Sequence, residues 1–424
     1  MSVPSIATLA AVHDRSKKSK APAPPVFTYT KQGEPHATLN NAIEAIRPWR
    51  GVLAFDTFAS EIVTTEKPPW GTADVPRDWK PGPWGTREDV LTCSWLSRTY
   101  GIRVGLDVVR YAVGNVADHT KVHPVTDWFD GLRWDGTERA PFLFSRYFGA
   151  THNEYTAEVS RIFLVGAVAR VRRPGCKLDT MVVLEGEQGI RKSTGIKTIV
   201  GAEWFSDTPI DLASKDRFVA LRNKFGIEIA ELDGFDKHEA TRIKAFISSP
   251  VDTYRAPYAR SDERFERQCF FVGTTNAKAY LSDPTGNRRF LPVACTVVDL
   301  KAIRRDRSQL WAEADQRFQK GETWWPDRAV VDLFAAEQEA RVTEDSWEHS
   351  IAEHMANRNE TTMRDLLERA LGILDEAKHT IADQKRAARI LSRLGFERVQ
   401  RRTAQGRSWV YVARGVTTKP EVVT

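Results

Sequence analysis

Gly186-Glu187-Gln188-Gly189-Ile190-Arg191-Lys192-Ser193-Thr194 follows the apolar run Thr180-Met181-Val182-Val183-Leu184 and precedes a helical pattern. The run has the length and bulk of a buried strand, so the stretch predicts strand, loop and helix in that order. A loop that grips phosphate needs small residues, so that backbone N–H groups can close around the oxygens. It also needs a lysine for the β- and γ-phosphates, a hydroxyl for Mg²⁺, and a helix N-terminus behind them. Gly186, Lys192 and Ser193 stand at the GxxxxGK[ST] spacing, and Gln188, Gly189 and Thr194 complete the candidate nucleotide contacts. Arg191 occupies the place of the second glycine, where the backbone often takes a φ that an L side chain disfavours. The competing reading is an ordinary strand–helix turn with a surface lysine. The strand–loop–helix context favours the phosphate loop, with ATP and Mg²⁺ as its cofactors.

Such a loop requires a second strand whose acids hold Mg²⁺ and polarise water. Lys224 to Leu232 supplies a candidate: apolar residues alternate at 225, 227 and 229, and carboxylates stand at Glu228, Glu231 and Asp233. Acids inside an apolar strand are costly unless paired or metal-bound; the alternative is an edge strand with its acids in water. Gln268 to Thr275 is a third strand, ending at Asn276. That position is where open α/β sheets bind ligands, and there an Asn can orient an attacking water or merely cap a turn. Arg288 and Arg289 follow in a turn, suited either to a γ-phosphate of a neighbouring subunit or to surface ion pairs. Asp252-Thr253-Tyr254-Arg255-Ala256-Pro257-Tyr258-Ala259-Arg260 interleaves Arg with Tyr, as single-stranded nucleic acid binders do, unless Asp252 simply pairs with an Arg. Strands alternating with helices argue for a parallel α/β sheet.

Further out, residues 1–30 are polar and Pro-rich and read as a tail. Residues 38–120 read as mainly helical, Tyr155 to Val171 as a strongly apolar helix, and the chain after Trp325-Pro326 as helical to about Leu394. Two short strands then flank a turn at Gln405-Gly406. Thr380 opens a helix with Asp383 at the capping-box spacing, and Gly395 closes it. Ile381, Ala388, Leu391 and Leu394 form its apolar stripe, and Lys385, Arg386, Arg389 and Arg393 point elsewhere. Helices followed by a β-hairpin form a winged-helix pattern, with 380–394 as recognition helix, unless the segment is a helical subdomain that binds nothing.

The 424 residues carry 62 Lys+Arg against 56 Asp+Glu, a net charge of +6. Residues 364–414 alone hold twelve basic and six acidic side chains. Residues 1–31 are +4, and 32–363 are −4. A slightly acidic body with basic ends suits a polyanionic partner, or is surface solvation. The longest strongly apolar stretch, Ile162 to Ala169, is far too short to span a bilayer. No apolar segment follows a basic stretch at the N-terminus, so no signal peptide is expected. Four scattered cysteines without a CxxC pair disfavour a disulfide framework and a cysteine zinc site, and fit the cytoplasm.

The collinear series DWFDGLRWDG at 127–136, ARVRRPGCKLDTMVVLEGEQGIRKST at 169–194, EWFSD at 203–207, IEIAELDGF at 227–235, IKAFISSPVDTYRAPYAR at 243–260 and FVGTTNAKAYLSDPTGNRRFLPV at 271–293 resembles the virulence-associated protein E family of phages and mobile elements. That family is similar to the superfamily 3 helicases, ring-forming AAA+-like motors on single-stranded DNA. The resemblance implies an α/β P-loop NTPase core. It casts Lys192 and Ser193 as the Walker A pair, Glu231 as the Walker B acid with Glu228 and Asp233 as competitors, and Asn276 as sensor 1. Arg289 or Arg288 becomes an arginine finger acting across a subunit interface. Lys244, Arg255 and Arg260 fall in the DNA-contacting motif. The expected domains are a basic tail (1–35), a mainly helical domain (36–150), the ATPase (151–330) and a helical and winged-helix-like domain (331–424). The expected function is an ATP-dependent DNA helicase or replication initiator, a hexameric ring on single-stranded DNA that recognises duplex origin DNA. The alternative is a nucleotide-regulated DNA-binding or assembly protein that binds ATP and barely hydrolyses it.

Overall fold

The computed structural model describes residues 24–71, 75, 79–232, 237–255, 262–281, 286–342, 345–403 and 406–414. The expectations placed on Asp233, Arg260 and residues 1–23 lie outside these. The chain divides into two compact units between Val342 and Thr343.

The first unit is built on five parallel strands: β4 (Met181–Glu185), β5 (Phe205–Ser206), β6 (Gly226–Ile229), β9 (Phe270–Thr275) and β10 (Phe290–Ala294). Their order across the sheet is β10-β4-β9-β6-β5. Successive side chains of a strand point to opposite faces, and the core divides accordingly. Val182, Leu184, Phe270 and Val272 join one apolar cluster. Helices α6 (Glu154–Arg172), α7 (Lys192–Val200) and α9 (Leu300–Gln319) contribute to that cluster, which includes Leu164, Ile196 and Trp311. Met181, Val183, Ile227 and Phe271 join another cluster with Ile243 and Ile247 of α8 (Lys237–Ser248). Gly195 lets α7 approach closely, since a Cβ there would stand 2.7 Å from Phe148.

β5 and β10 were not foreseen. β5 has two residues, too few for a periodicity, and β10 follows the turn carrying Arg288 and Arg289. The N-terminal part also departs from a mainly helical reading. β1 (Leu53–Asp56), β2 (Glu61–Thr64) and β3 (Lys121–Val122) form a three-stranded sheet. Helices α1 (Leu39–Ile46), α2 (Thr86–Tyr100) and α3 (Leu106–Ala117) surround a cluster rich in tryptophan: Trp49, Trp70 and Trp95. Residues 24–35, expected within a tail, are tied down instead, with Asn41 accepting from the Thr28 amide at 2.9 Å.

Two domain boundaries move. Helices α4 (Pro124–Asp130) and α5 (Leu143–Phe148) pack into the sheet's own cluster, so the core begins near 120 rather than 151. Residues 36–150 and 151–330 belong to one unit. Helix α10 (Val331–Glu339) also belongs with the first unit, where Gln338 donates to the Phe290 carbonyl of β10.

The second unit runs helix α11 (Glu348–Met355), strand β11 (Glu360–Thr362), helical turns at 363–370, helix α12 (Ile381–Arg393) and the hairpin β12 (Phe396–Thr403) to β13 (Gly406–Ala413). The sheet order is β11-β13-β12, all antiparallel. Thr380 accepts from the Asp383 amide at the N-terminus of α12, and Gly395 takes a positive φ just after its end. The apolar stripe is Ala387, Ile390 and Leu391, whereas Ile381 is exposed.

A hairpin of β7 (Val251–Tyr254) and β8 (Glu263–Glu266) leans on the first unit. Arg267 is 3% exposed; its guanidinium forks onto Asp252 at 2.6 and 2.8 Å and donates to the Phe246 carbonyl. Removing one partner of a buried pair strands the other charge, at about 3–5 kcal/mol. Asp252→Ala is therefore expected to lower the unfolding free energy of the full chain in urea by that amount. A loss under about 1 kcal/mol would show that the pair is dispensable.

Candidate functional site

In a parallel sheet all C-terminal strand ends lie on one edge, where ligands bind. The loop after β4, the turn after β6 and Asn276 after β9 meet there around a cavity of about 400 Å³. β4 is flanked by β9 and β10. The chain leaves it toward the β5 edge, while the connection after β9 crosses past it to β10.

Gly186 takes φ 142, and a Cβ there would also collide with the Cys295 carbonyl; Gly189 takes φ 87. Burial pushes the Cys295 thiol up to about 12, against the pull of Lys192, so this sulfur serves packing. Arg191 takes φ 72, the left-handed region, at the N-terminus of α7. That conformation costs an L residue roughly 1–2 kcal/mol. The Arg191 side chain makes no capping hydrogen bond to the first turn of α7, and a helix N-terminus favours an anion. Lys192 is buried. Its Nζ donates to the Gly186 and Glu187 carbonyls at 2.6 and 3.0 Å and to Asn276 Oδ1 at 3.0 Å. The structure thus joins Lys192 and Asn276, residues 84 positions apart.

The acid beside Ser193 is Glu228. Its Oε1 accepts from Ser193 Oγ at 2.7 Å and from Thr274 Oγ1 at 2.7 Å. Glu228 is 5% exposed, and its Oε2 is buried with no hydrogen-bond partner. A buried carboxylate oxygen without a donor is costly, and a cation is the natural partner for it. Mg²⁺ needs only one or two protein oxygens, the remainder coming from phosphate and water. The Ser193 hydroxyl and the Glu228 carboxylate therefore fit Mg²⁺. No group of three or more His, Cys, Asp or Glu side chains among the described residues forms a metal cluster.

Glu231, expected as the principal acid, does not reach Ser193. It lies past the end of β6, exposed, at φ 56, lining the same cavity. The strand alternation explains the difference. Glu228 is paired with Val272, whose side chain faces α7, and Thr274 shares that face two residues on. The alternation at 225, 227 and 229 already placed residue 228 opposite them, and that was the available signal. Thr274 was not singled out from sequence. Gln188, Gly189, Ser193 and Thr194 all line the cavity, and Gly186 is reached through its carbonyl.

Other expected residues are placed differently. Lys244 does not offer its amine to DNA: it is buried, its Nζ donates to Asn287 Oδ1 at 3.1 Å, and it sits 5.6 Å from the Phe290 ring centre. Arg255 is exposed at the end of β7. Arg288 and Arg289 line a separate cavity with Gln338 and Glu339, and Arg289 Nε donates to Ser248 Oγ at 2.7 Å. In the second unit Arg386 is not available either. It forks onto Asp345 at 2.6 and 2.9 Å and lies 4.0 Å over the Trp347 ring. Arg393 pairs with Glu348 at 3.2 Å. Lys385 is exposed and Arg389 half-buried on α12.

The family model described as the virulence-associated protein E-like domain matches residues 129–343, half of the chain, and the chain belongs to that family. Two structures of the NrS-1 C-terminal region are similar. One apo structure (305–718) has 12% identity and a TM-score of 0.46, covering 85% of this chain and 95% of that one. An A-form apo structure has 13% identity and a TM-score of 0.47, covering 85% and 96%. No curated protein matches the chain.

The buried, unpartnered Oε2 of Glu228 costs the fold stability. Glu228→Gln removes the charge and is expected to raise Tm by about 2–4 °C in the absence of Mg²⁺ and nucleotide. A fall in Tm would identify the carboxylate as structural.

Proposed function

We propose that the chain is a Mg²⁺-dependent ATPase whose first unit is a P-loop motor on single-stranded DNA. The observation that carries this is the pair of contacts Ser193–Glu228 and Lys192–Asn276, set beside an uncapped helix N-terminus with one carboxylate oxygen left over. The loop carbonyls that now hold the Lys192 amine mark where it rests before a phosphate takes their place. The N–H groups of the first turn of α7 would receive the phosphate oxygens. Ser193 and Glu228 would hold Mg²⁺, which would supply positive charge to neutralise the phosphates. Glu231, exposed at the rim, is placed to accept a proton from the attacking water, and Asn276 to orient that water. Arg288 and Arg289 lie outside this cavity, so their role as arginine fingers requires a neighbouring subunit in a ring, a hexamer by the resemblance.

The family resemblance supports a DNA partner and a phage or mobile-element setting, and with them the reading of a helicase or replication initiator. The order helix, strand, helices, hairpin of the second unit supports a winged helix that grips duplex DNA. With Arg386 and Arg393 committed to acids, Lys385 and Arg389 are left to meet phosphate from α12. Among the described residues, no helix is long and apolar enough to cross a membrane. A second reading, nucleotide binding with little turnover, is favoured by one observation: the left-handed backbone at Arg191 and Glu231 departs from an ordinary catalytic loop.

ATPase assays with and without single-stranded DNA test the proposal. Wild type is expected to hydrolyse ATP faster with DNA. Lys192→Ala is expected to reduce kcat by about 100-fold or more, the loss typical of removing one electrostatic stabiliser. Binding of ATP without DNA-stimulated turnover would support the second reading. For duplex DNA, Lys385→Ala and Arg389→Ala are each expected to reduce the salt slope of binding by about 1. Arg386→Ala should instead lower Tm. Equal salt slopes in all three variants would contradict the assignment.

A further inference from the structure

Arg191 stands where the loop motif has glycine, and the structure shows what that exchange brings. The residue holds a left-handed backbone that glycine would adopt without strain. Strain of this kind persists at ligand clamps, where the side chain gives something in return. Its side chain lines the same cavity as Lys192, Ser193 and Glu228. Other arginines of this unit have settled partners: Arg172 on Asp315, Arg267 on Asp252, Arg341 on Glu185. The Arg191 guanidinium has none among the described residues.

Charge balance points the same way. Four charged side chains line the cavity, Arg191, Lys192, Glu228 and Glu231, and they cancel. With glycine at 191, Lys192 would be the one cation among the lining side chains. The unpartnered Oε2 of Glu228 is a separate sign that the cavity is completed by a ligand.

We propose that Arg191 is a phosphate-binding residue supplied in cis. Its planar fork takes the terminal phosphate of a bound nucleoside triphosphate beside the Lys192 amine, and so makes the site prefer triphosphate over diphosphate. This rests on the phosphate-site reading above, and deepens it by assigning selectivity to a residue that the loop motif does not contain.

Titration calorimetry on the full chain with Mg²⁺ tests it, using a non-hydrolysable ATP analogue and ADP as probes. Arg191→Gly relieves the backbone, and Arg191→Gln keeps the length while removing the charge. Both are expected to weaken the ATP analogue by about tenfold or more while changing ADP affinity far less, and the Gly variant should hold or raise Tm. Arg191→Lys should fall between. Analogue binding by Arg191→Gly as tight as wild type would overturn the role of Arg191 and leave the phosphate site intact. Wild type that binds neither nucleotide, with Lys192→Ala indistinguishable from it, would overturn both.

Discussion

One buried carboxylate organises the site. Glu228 sits inside an apolar strand, where a charge is tolerated only if its oxygens are satisfied. Ser193 and Thr274 satisfy one oxygen from two directions, a helix and a neighbouring strand, and nothing among the protein groups satisfies the other. The contact ties the first turn of α7, and with it Lys192, to the sheet. It leaves one buried carboxylate oxygen without a donor.

The surrounding architecture serves that contact. Parallel pairing of β4, β6 and β9 brings three loop ends to one edge. Residue alternation sends Glu228 and Thr274 to the face covered by α7, and sends Ile227 and Phe271 to the opposite core. Gly195 and Gly186 permit two close approaches, of α7 to Phe148 and of the loop to the Cys295 carbonyl. At the base of the loop, Glu185 is held by Arg341 at 2.9 Å and by the Tyr280 hydroxyl at 2.9 Å. The loop after β4 is thus supported from below by a second buried polar cluster.

Much of the core was legible because its signals are local. The apolar run, the glycines and the Lys-Ser pair fall within fifteen residues, and so the strand, loop and helix follow directly. Asn276 was legible for the same reason, as a polar residue closing an apolar run. Glu228 was named but ranked below Glu231, because motif order was weighed above strand alternation. Strand β3 escaped since its pairing with β1 spans most of the N-terminal region, and β1 and β2 are a hairpin of four-residue strands, too short for a clear periodicity. The sequence also could not separate free cations from paired ones. Lys244, Arg386 and Arg393 look in the sequence like Lys385 and Arg389, and only the fold shows which of them already have acids or amides as partners.

Basic composition therefore overstates the charge available to a polyanion, since ion pairs within each unit consume part of it. Among the described residues, Arg191 and Lys192 line the cavity of the first unit, and Lys385 and Arg389 lie on α12 of the second. The central claim is that Glu228 and Ser193 hold Mg²⁺ together with a nucleotide. Its most direct measurement is the affinity of the full chain for a non-hydrolysable ATP analogue in Mg²⁺ and in EDTA. The account predicts binding at least about tenfold tighter with Mg²⁺, and no such difference in Glu228→Gln. Equal affinity in Mg²⁺ and EDTA for the wild-type chain would contradict it.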